Sequence, residues 1–134
     1  MNISTHGGYL PTRATDGSAG YDLYSTETFT LHPGETKIID LKICMEIPSG
    51  WYGKIESRSG LGFTHGIIAF GGVIDSDYRG SVQIKLFHLG SHPLGLKKGE
   101  RLAQMVVQRH ASFSVNPVEA VGQTARGQGG LGST

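Results

Sequence analysis

An all-β sandwich is the fold this sequence predicts, and three observations carry it. Apolar and polar residues alternate with period two in several stretches, helical periodicity is scarce, and 21 glycines lie scattered among Val, Ile and Phe as turn signals. Collagen would need a glycine at every third position, and that period is absent. A chain of 134 residues fits one domain, with no room for a second independent core.

The N-terminal stretch, Met1 to Tyr21, has no basic flank leading into a long apolar core, so no secretory signal is visible. No apolar run reaches the length of a membrane span. The expectation is a soluble, intracellular protein of the cytoplasm or nucleus with no membrane partner. The single cysteine, Cys44, excludes an intrachain disulfide and suits a reducing compartment, where it reads as a packing residue. A net charge of +1 offers no broad surface for nucleic acid, which needs clustered Lys and Arg. A small anionic ligand needs only a few well-placed cations.

Along the chain, Ser18 to Ser25 (SAGYDLYS) alternates Tyr21 and Leu23 against Asp22 and Tyr24. Composition favours a strand with one exposed aspartate, although such a group could hold an arginine or orient a metal's water shell. Thr36 to Ile47 reads as one strand, with Ile39, Leu41, Ile43, Met45 and Ile47 on one face, between Pro33-Gly34 and Pro48-Ser49-Gly50. Trp51 to Ser57, Ser81 to Leu89, Arg101 to Arg109 and Ser112 to Val115 follow as strands. A turn or two near Ser59 to Gly62 is the best helical candidate.

Four segments along this frame could carry chemistry. Ser57 to Gly62 (SRSGLG) sets a guanidinium and a hydroxyl beside glycine backbone, which suits either a phosphate cradle or a charged turn. Gly72 to Gly80 (GVIDSDYRG) runs from an apolar strand end into a polar turn, and reads as a β-hairpin presenting Asp75, Asp77, Tyr78 and Arg79. Hairpin chemistry and catalysis fit that segment about equally. Gly99 to Val107 (GERLAQMVV) puts Gln104 among apolar neighbours, where burial would demand hydrogen-bond partners. Gly122 to Thr134 has five glycines in thirteen residues and too little apolar surface to offset its ordering entropy, so alone it reads as a mobile tail.

Other chemistries find little support. The tail lacks the Gly-Lys-Ser/Thr ending of a P-loop. The six histidines show no close helical pairing, and one cysteine makes no thiolate zinc site. No Gly-x-Ser-x-Gly elbow is present.

Taken in order, AGYDLYS, SRSGLG, GVIDSDYRG, GERLAQMVV and RGQGGLGST resemble the five motifs of the trimeric deoxyuridine triphosphatases (dUTPases). The resemblance implies a jelly-roll-like β-sandwich subunit of the β-clip type over residues 1–121, and a flexible glycine-rich arm over 122–134 that closes on bound nucleotide. It implies a homotrimer whose sites, at subunit interfaces, draw on more than one chain. The reaction would be dUTP plus water giving dUMP and pyrophosphate, with Mg²⁺ on the triphosphate. That activity would limit uracil incorporation into DNA and supply dUMP for thymidylate synthesis.

Carried over by residue, Asp75 would orient water toward the α-phosphorus as general base. Tyr78 would lie against the deoxyribose and clash with a ribose 2′-OH. Gly72, Val73, Ile74, Asp75, Ser76 and Asp77 would read the uracil edge through their backbone, with Gln83 also at the substrate. Arg58, Ser59, Gly60 and Gln104 would contact phosphates, and Arg126, Leu131 and Gly132 would come from the arm. No residue is implied as a direct metal ligand; Asp22 would act near the ion's water shell. Two departures stand out: Leu131 replaces the aromatic residue that stacks on uracil in the family, and Ser57 replaces the proline that commonly precedes the arginine. A dCTP deaminase on the same fold is disfavoured by the Asp75 to Gly80 run and by the missing Thr-Leu-Glu pattern. A silent nucleotide binder is disfavoured by the retained Asp75.

Overall fold

Alternation builds most of this molecule. The computed structural model describes residues 1–132 and contains eleven strands: β1 Asn2–Thr5, β2 Gly20–Tyr24, β3 Phe29–Leu31, β4 Thr36–Asp40, β5 Ile43–Glu46, β6 Trp51–Ser57, β7 Ile67–Phe70, β8 Val73–Ile74, β9 Gln83–His88, β10 Leu94–Leu96 and β11 Arg101–Arg109. A turn of π-helix over Gly60–Thr64 occupies the stretch expected to be helical. No helix among the described residues is long and apolar enough to cross a membrane.

The larger sheets run β2-β11-β6-β8 and β4-β9-β7, with β1-β5 and β3-β10 as smaller pairs, and every pairing is antiparallel. Leu23, Ile55 and Met105 from one large sheet meet Ile39, Ile84 and Leu86 from the other in a single buried core. Each such fully buried side chain stabilises the fold by about 1.5–3 kcal/mol relative to exposure. The all-β, jelly-roll-like sandwich expected from the sequence is borne out.

The expected strand from Thr36 to Ile47 is two strands. The chain turns at Lys42, whose φ is 53°, so that β4 pairs with β9 while β5 pairs with β1. Ile39, Leu41, Ile43, Met45 and Ile47 stay buried through the corner, which is why a period-two pattern cannot reveal it. Asp40 holds the corner: its carboxylate accepts from the Lys42 N–H at 2.8 Å and from the Ser81 hydroxyl. The Val82 backbone straddles it, accepting from Leu41 N–H and donating to Ile43 O.

The last sheet contact also differs from expectation. Ser112 to Val115 forms no strand, and Phe113 and Val115 are fully exposed. Residues 110–132 carry no regular structure.

Candidate active site

The first group of polar residues sits on the large sheet. Register places Asp22 of β2 beside Gln104 of β11, and Gln104 beside Glu56 of β6, just before Arg58. Asp22 is buried, not exposed as composition suggested, because two arginines cover it. Arg58 Nε donates to Asp22 Oδ1 at 2.9 Å, and Arg101 Nη1 lies 3.5 Å from Asp22 Oδ2. Arg58 Nη1 also reaches the Arg101 carbonyl at 3.5 Å. Two cations share one carboxylate, which leaves net positive charge facing a cleft that Ser18, Gly20, Ser59 and Gln104 complete.

Gln104 answers the question its apolar neighbours raised. Its Nε2 donates to Ser57 O at 3.0 Å, and its Oε1 lies where a Cβ on Gly20 would stand. A Cβ at position 20 would displace that amide from its present place. Ser59 leads into the π-turn with no side-chain capping bond, and nothing lies within 4 Å of where a Cβ on Gly60 would point. The backbone there is open to an incoming anion.

The second group hangs from the other edge of the same sheet. β8 pairs with β6, Ile74 opposite Gly53 and Val73 opposite Lys54, while β9 pairs with β4 and β7 in the facing sheet. Gly72 to Gly80 is therefore not the expected hairpin. It is a connection between sheets, and apolar strands at both of its ends disguised that. Gly72, at φ 66°, makes the turn into β8. Asp75 and Tyr78 are exposed, Tyr78 N–H closes a turn on Asp75 O at 3.2 Å, and Gln83 opens β9, exposed, opposite Asp40.

These groups do not meet within one chain. Asp75 follows the β8 residue paired with Gly53, whereas Arg58 follows the far end of β6, so about six strand residues, or about 20 Å, separate them. Asp75, with Ser76 and Asp77, instead borders an open cleft with Trp51, Tyr52, Val73 and His110. Among the described residues Arg126 bonds locally, Nε to Gly129 O at 2.8 Å, and Leu131 and Gly132 are exposed. Residues 133–134 of the arm lie outside the described residues.

One participant escaped the sequence reading, and another was seen without its role. Arg101 shares Asp22, which only the β2–β11 pairing reveals. Arg79 braces the Asp75 loop, its Nη1 donating to Ser76 O at 2.7 Å and Tyr78 O at 3.1 Å. Its position beside Tyr78 was visible, but not which carbonyls it would reach. Among the described residues no three His, Cys, Asp or Glu side chains gather as a metal cage.

Comparison with known proteins adds three findings. The dUTPase family model matches residues 7–134. The chain is 43% identical to the deoxyuridine 5'-triphosphate nucleotidohydrolase of Mus musculus, covering 100% of this chain and 82% of that protein. A mutant dUTPase from phage 80alpha is similar in structure, with a TM-score of 0.90, 25% identity and coverage of 99% and 97%. A mutant dUTPase from phage phi11 of S. aureus, described as coordinating a structural Mg(II) ion, has a TM-score of 0.81, 23% identity and coverage of 89% and 96%, a likeness of fold.

Proposed function

The chain belongs to the dUTPase family, and on that premise we propose how its residues carry out the family's reaction. It is a dUTP diphosphatase: water attacks the α-phosphorus of dUTP, and dUMP and pyrophosphate leave. Arg58, Ser59, Gln104 and the Gly60 backbone hold the phosphates. The observation that carries this assignment is the shared carboxylate: Asp22 fixes the Arg58 guanidinium by its Nε edge and leaves other N–H groups for an anion. Arg101 adds the second cation.

Asp75 orients and deprotonates the attacking water, a role that asks only for an exposed carboxylate in line with phosphorus. The backbone from Gly72 to Asp77, with Gln83, reads the uracil edge. Tyr78 lies against the deoxyribose. Mg²⁺ brought in on the triphosphate would supply charge neutralisation for the phosphates and the leaving group; no residue of this chain would be a direct ligand, and Asp22, already holding Arg58 and Arg101, would face the ion's water shell. The arm, 122–134, closes over the nucleotide, bringing Arg126 to the terminal phosphates and Leu131 to the base.

The enzyme works as a homotrimer. Supporting this is the distance of about 20 Å between Asp75 and Arg58, too far for one chain to hold a phosphate and its attacking water together. A second support is the outward face of the β4-β9-β7 sheet, where Ile38, Ile68 and Phe70 are exposed around Lys85. A row of apolar side chains on a sheet face marks a contact surface, and a second copy of this chain is its occupant.

Pyrophosphate release from dUTP with Mg²⁺ tests the reading. Asp75→Asn is expected to slow it by about 10²–10⁴-fold, with the solution mass staying at three times that of one chain. Equal rates in the two proteins would remove Asp75 from the mechanism. Ammonia release from dCTP would establish the deaminase instead.

A further inference from the structure

The Tyr78 ring leans back over the end of its own loop. A Cβ on Gly80 would lie 2.6 Å from Tyr78 Cζ and 2.9 Å from Cε2, and closer still to the phenol oxygen. That same hydroxyl donates to the Ser81 carbonyl at 3.1 Å. Gly80 is not among the glycines with positive φ, so its backbone would accept alanine without strain. The three atoms nearest to where that Cβ would stand all belong to the Tyr78 ring and its hydroxyl.

The loop around the ring is braced. Arg79 Nη1 donates to the carbonyls of Ser76 and Tyr78 and reaches Met45 O, on β5, at 3.4 Å. Gly80 is followed by Ser81, tied to Asp40 at the corner of the fold. With backbone fixed on both sides, a methyl group at position 80 would displace the ring, not the chain. Tyr78 is partly exposed, so the ring has solvent to move into.

We propose that Gly80 is a specificity-determining positioning residue. By lacking a side chain it seats the Tyr78 ring low against the loop, and the seat sets how closely the ring approaches the 2′ carbon of the sugar. The preference for a deoxyribonucleoside triphosphate over a ribonucleoside triphosphate then depends on a residue that never touches the nucleotide. This rests on the reading of Tyr78 as the sugar contact.

Steady-state kinetics on dUTP and UTP with the full chain test it. Gly80→Ala is expected to lower the ratio of kcat/KM for dUTP to that for UTP by about tenfold, through KM more than kcat. Tyr78→Ala should lower the ratio at least as far, and adding Gly80→Ala to Tyr78→Ala should change nothing more, because the methyl group has lost the ring it pushes. Tyr78→Phe, which keeps the seated ring without its Ser81 bond, should shift the ratio less than Gly80→Ala and covers the case of a poorly folding alanine variant. A ratio unchanged in Gly80→Ala, with Tyr78→Ala lowering it, would overturn the seat and leave the sugar contact standing. An equal fall from Gly80→Ala with and without the Tyr78 ring would also overturn it. An unchanged ratio in Tyr78→Ala would instead sink the sugar-contact reading itself.

Discussion

Arg58 and Arg126 are assigned to the same phosphates but live under opposite regimes. Arg58 leaves the end of β6 with its Nε already spent on Asp22, in a cleft lined by β2 and β11. Arg126 sits in a segment without regular structure and bonds to its own neighbour, Gly129. On the proposed reading, one guanidinium is positioned before substrate arrives and the other is recruited by it. The difference teaches that charge and geometry can be supplied separately: the strands fix one guanidinium in place, and the proposed closure of the arm would meet its ordering entropy at each turnover.

If that contrast holds, losing the mobile cation should cost rate and not fold. Arg126→Ala is expected to reduce kcat by about 10²-fold or more, the loss of a donor aimed at developing charge, with the thermal unfolding temperature unmoved. A matching drop in unfolding temperature would show that the arm is packed after all. Removing the fixed anchor should do the reverse first. Asp22→Asn takes the carboxylate from two arginines and is expected to cost about 2 kcal/mol of stability, the scale of a hydrogen bond to a charged group, together with a raised KM. Chemical denaturation would read it, and an unchanged midpoint would mean that the guanidinium groups find water as readily as Asp22.

A smaller effect sharpens the arm's side of the contrast. Leu131→Phe restores a ring where the family stacks one on uracil; stacking contributes about 1–3 kcal/mol per base, of which leucine keeps part as apolar contact. A fall in KM of about fivefold is expected, and unaltered KM and kcat would mean that position 131 does not meet the base. The smallest effect belongs to the fixed half. The Ser81 hydroxyl, then the Lys42 N–H, hold the Asp40 carboxyl below its ordinary value. Its folded value is depressed, so its stabilising contribution is full above the unfolded value near pH 4 and fades as pH falls through the folded one. Asp40→Asn should lower stability at neutral pH slightly and flatten the loss below pH 4, measured as unfolding midpoints across pH.

The sequence was legible where a residue's face decided its fate. β6 and β11 were bounded correctly from alternation and turn residues, since one side of each had to meet the core. Alternation was blind to which strand pairs with which. It ran unbroken through the corner at Lys42 and made the inter-sheet passage from Ile74 to Gln83 look like a hairpin. Asp22 was misplaced for a related reason: a polar residue off the apolar face reads as exposed, and only the arrival of Arg58 and Arg101 from 36 and 79 residues away buries it. The motifs supplied the candidates, but the distance between them belongs to topology.

That distance has a genetic consequence. When Arg58 and Asp75 of one chain serve different sites, two inactive variants are not two defects in one machine. Co-expressed Arg58→Ala and Asp75→Asn chains would assemble some sites with an intact Arg58 from one copy and an intact Asp75 from the other. Complementation between dead proteins, rising with the chance of mixed assembly and vanishing when each is purified alone, is what the proposed assembly predicts from the spacing along β6.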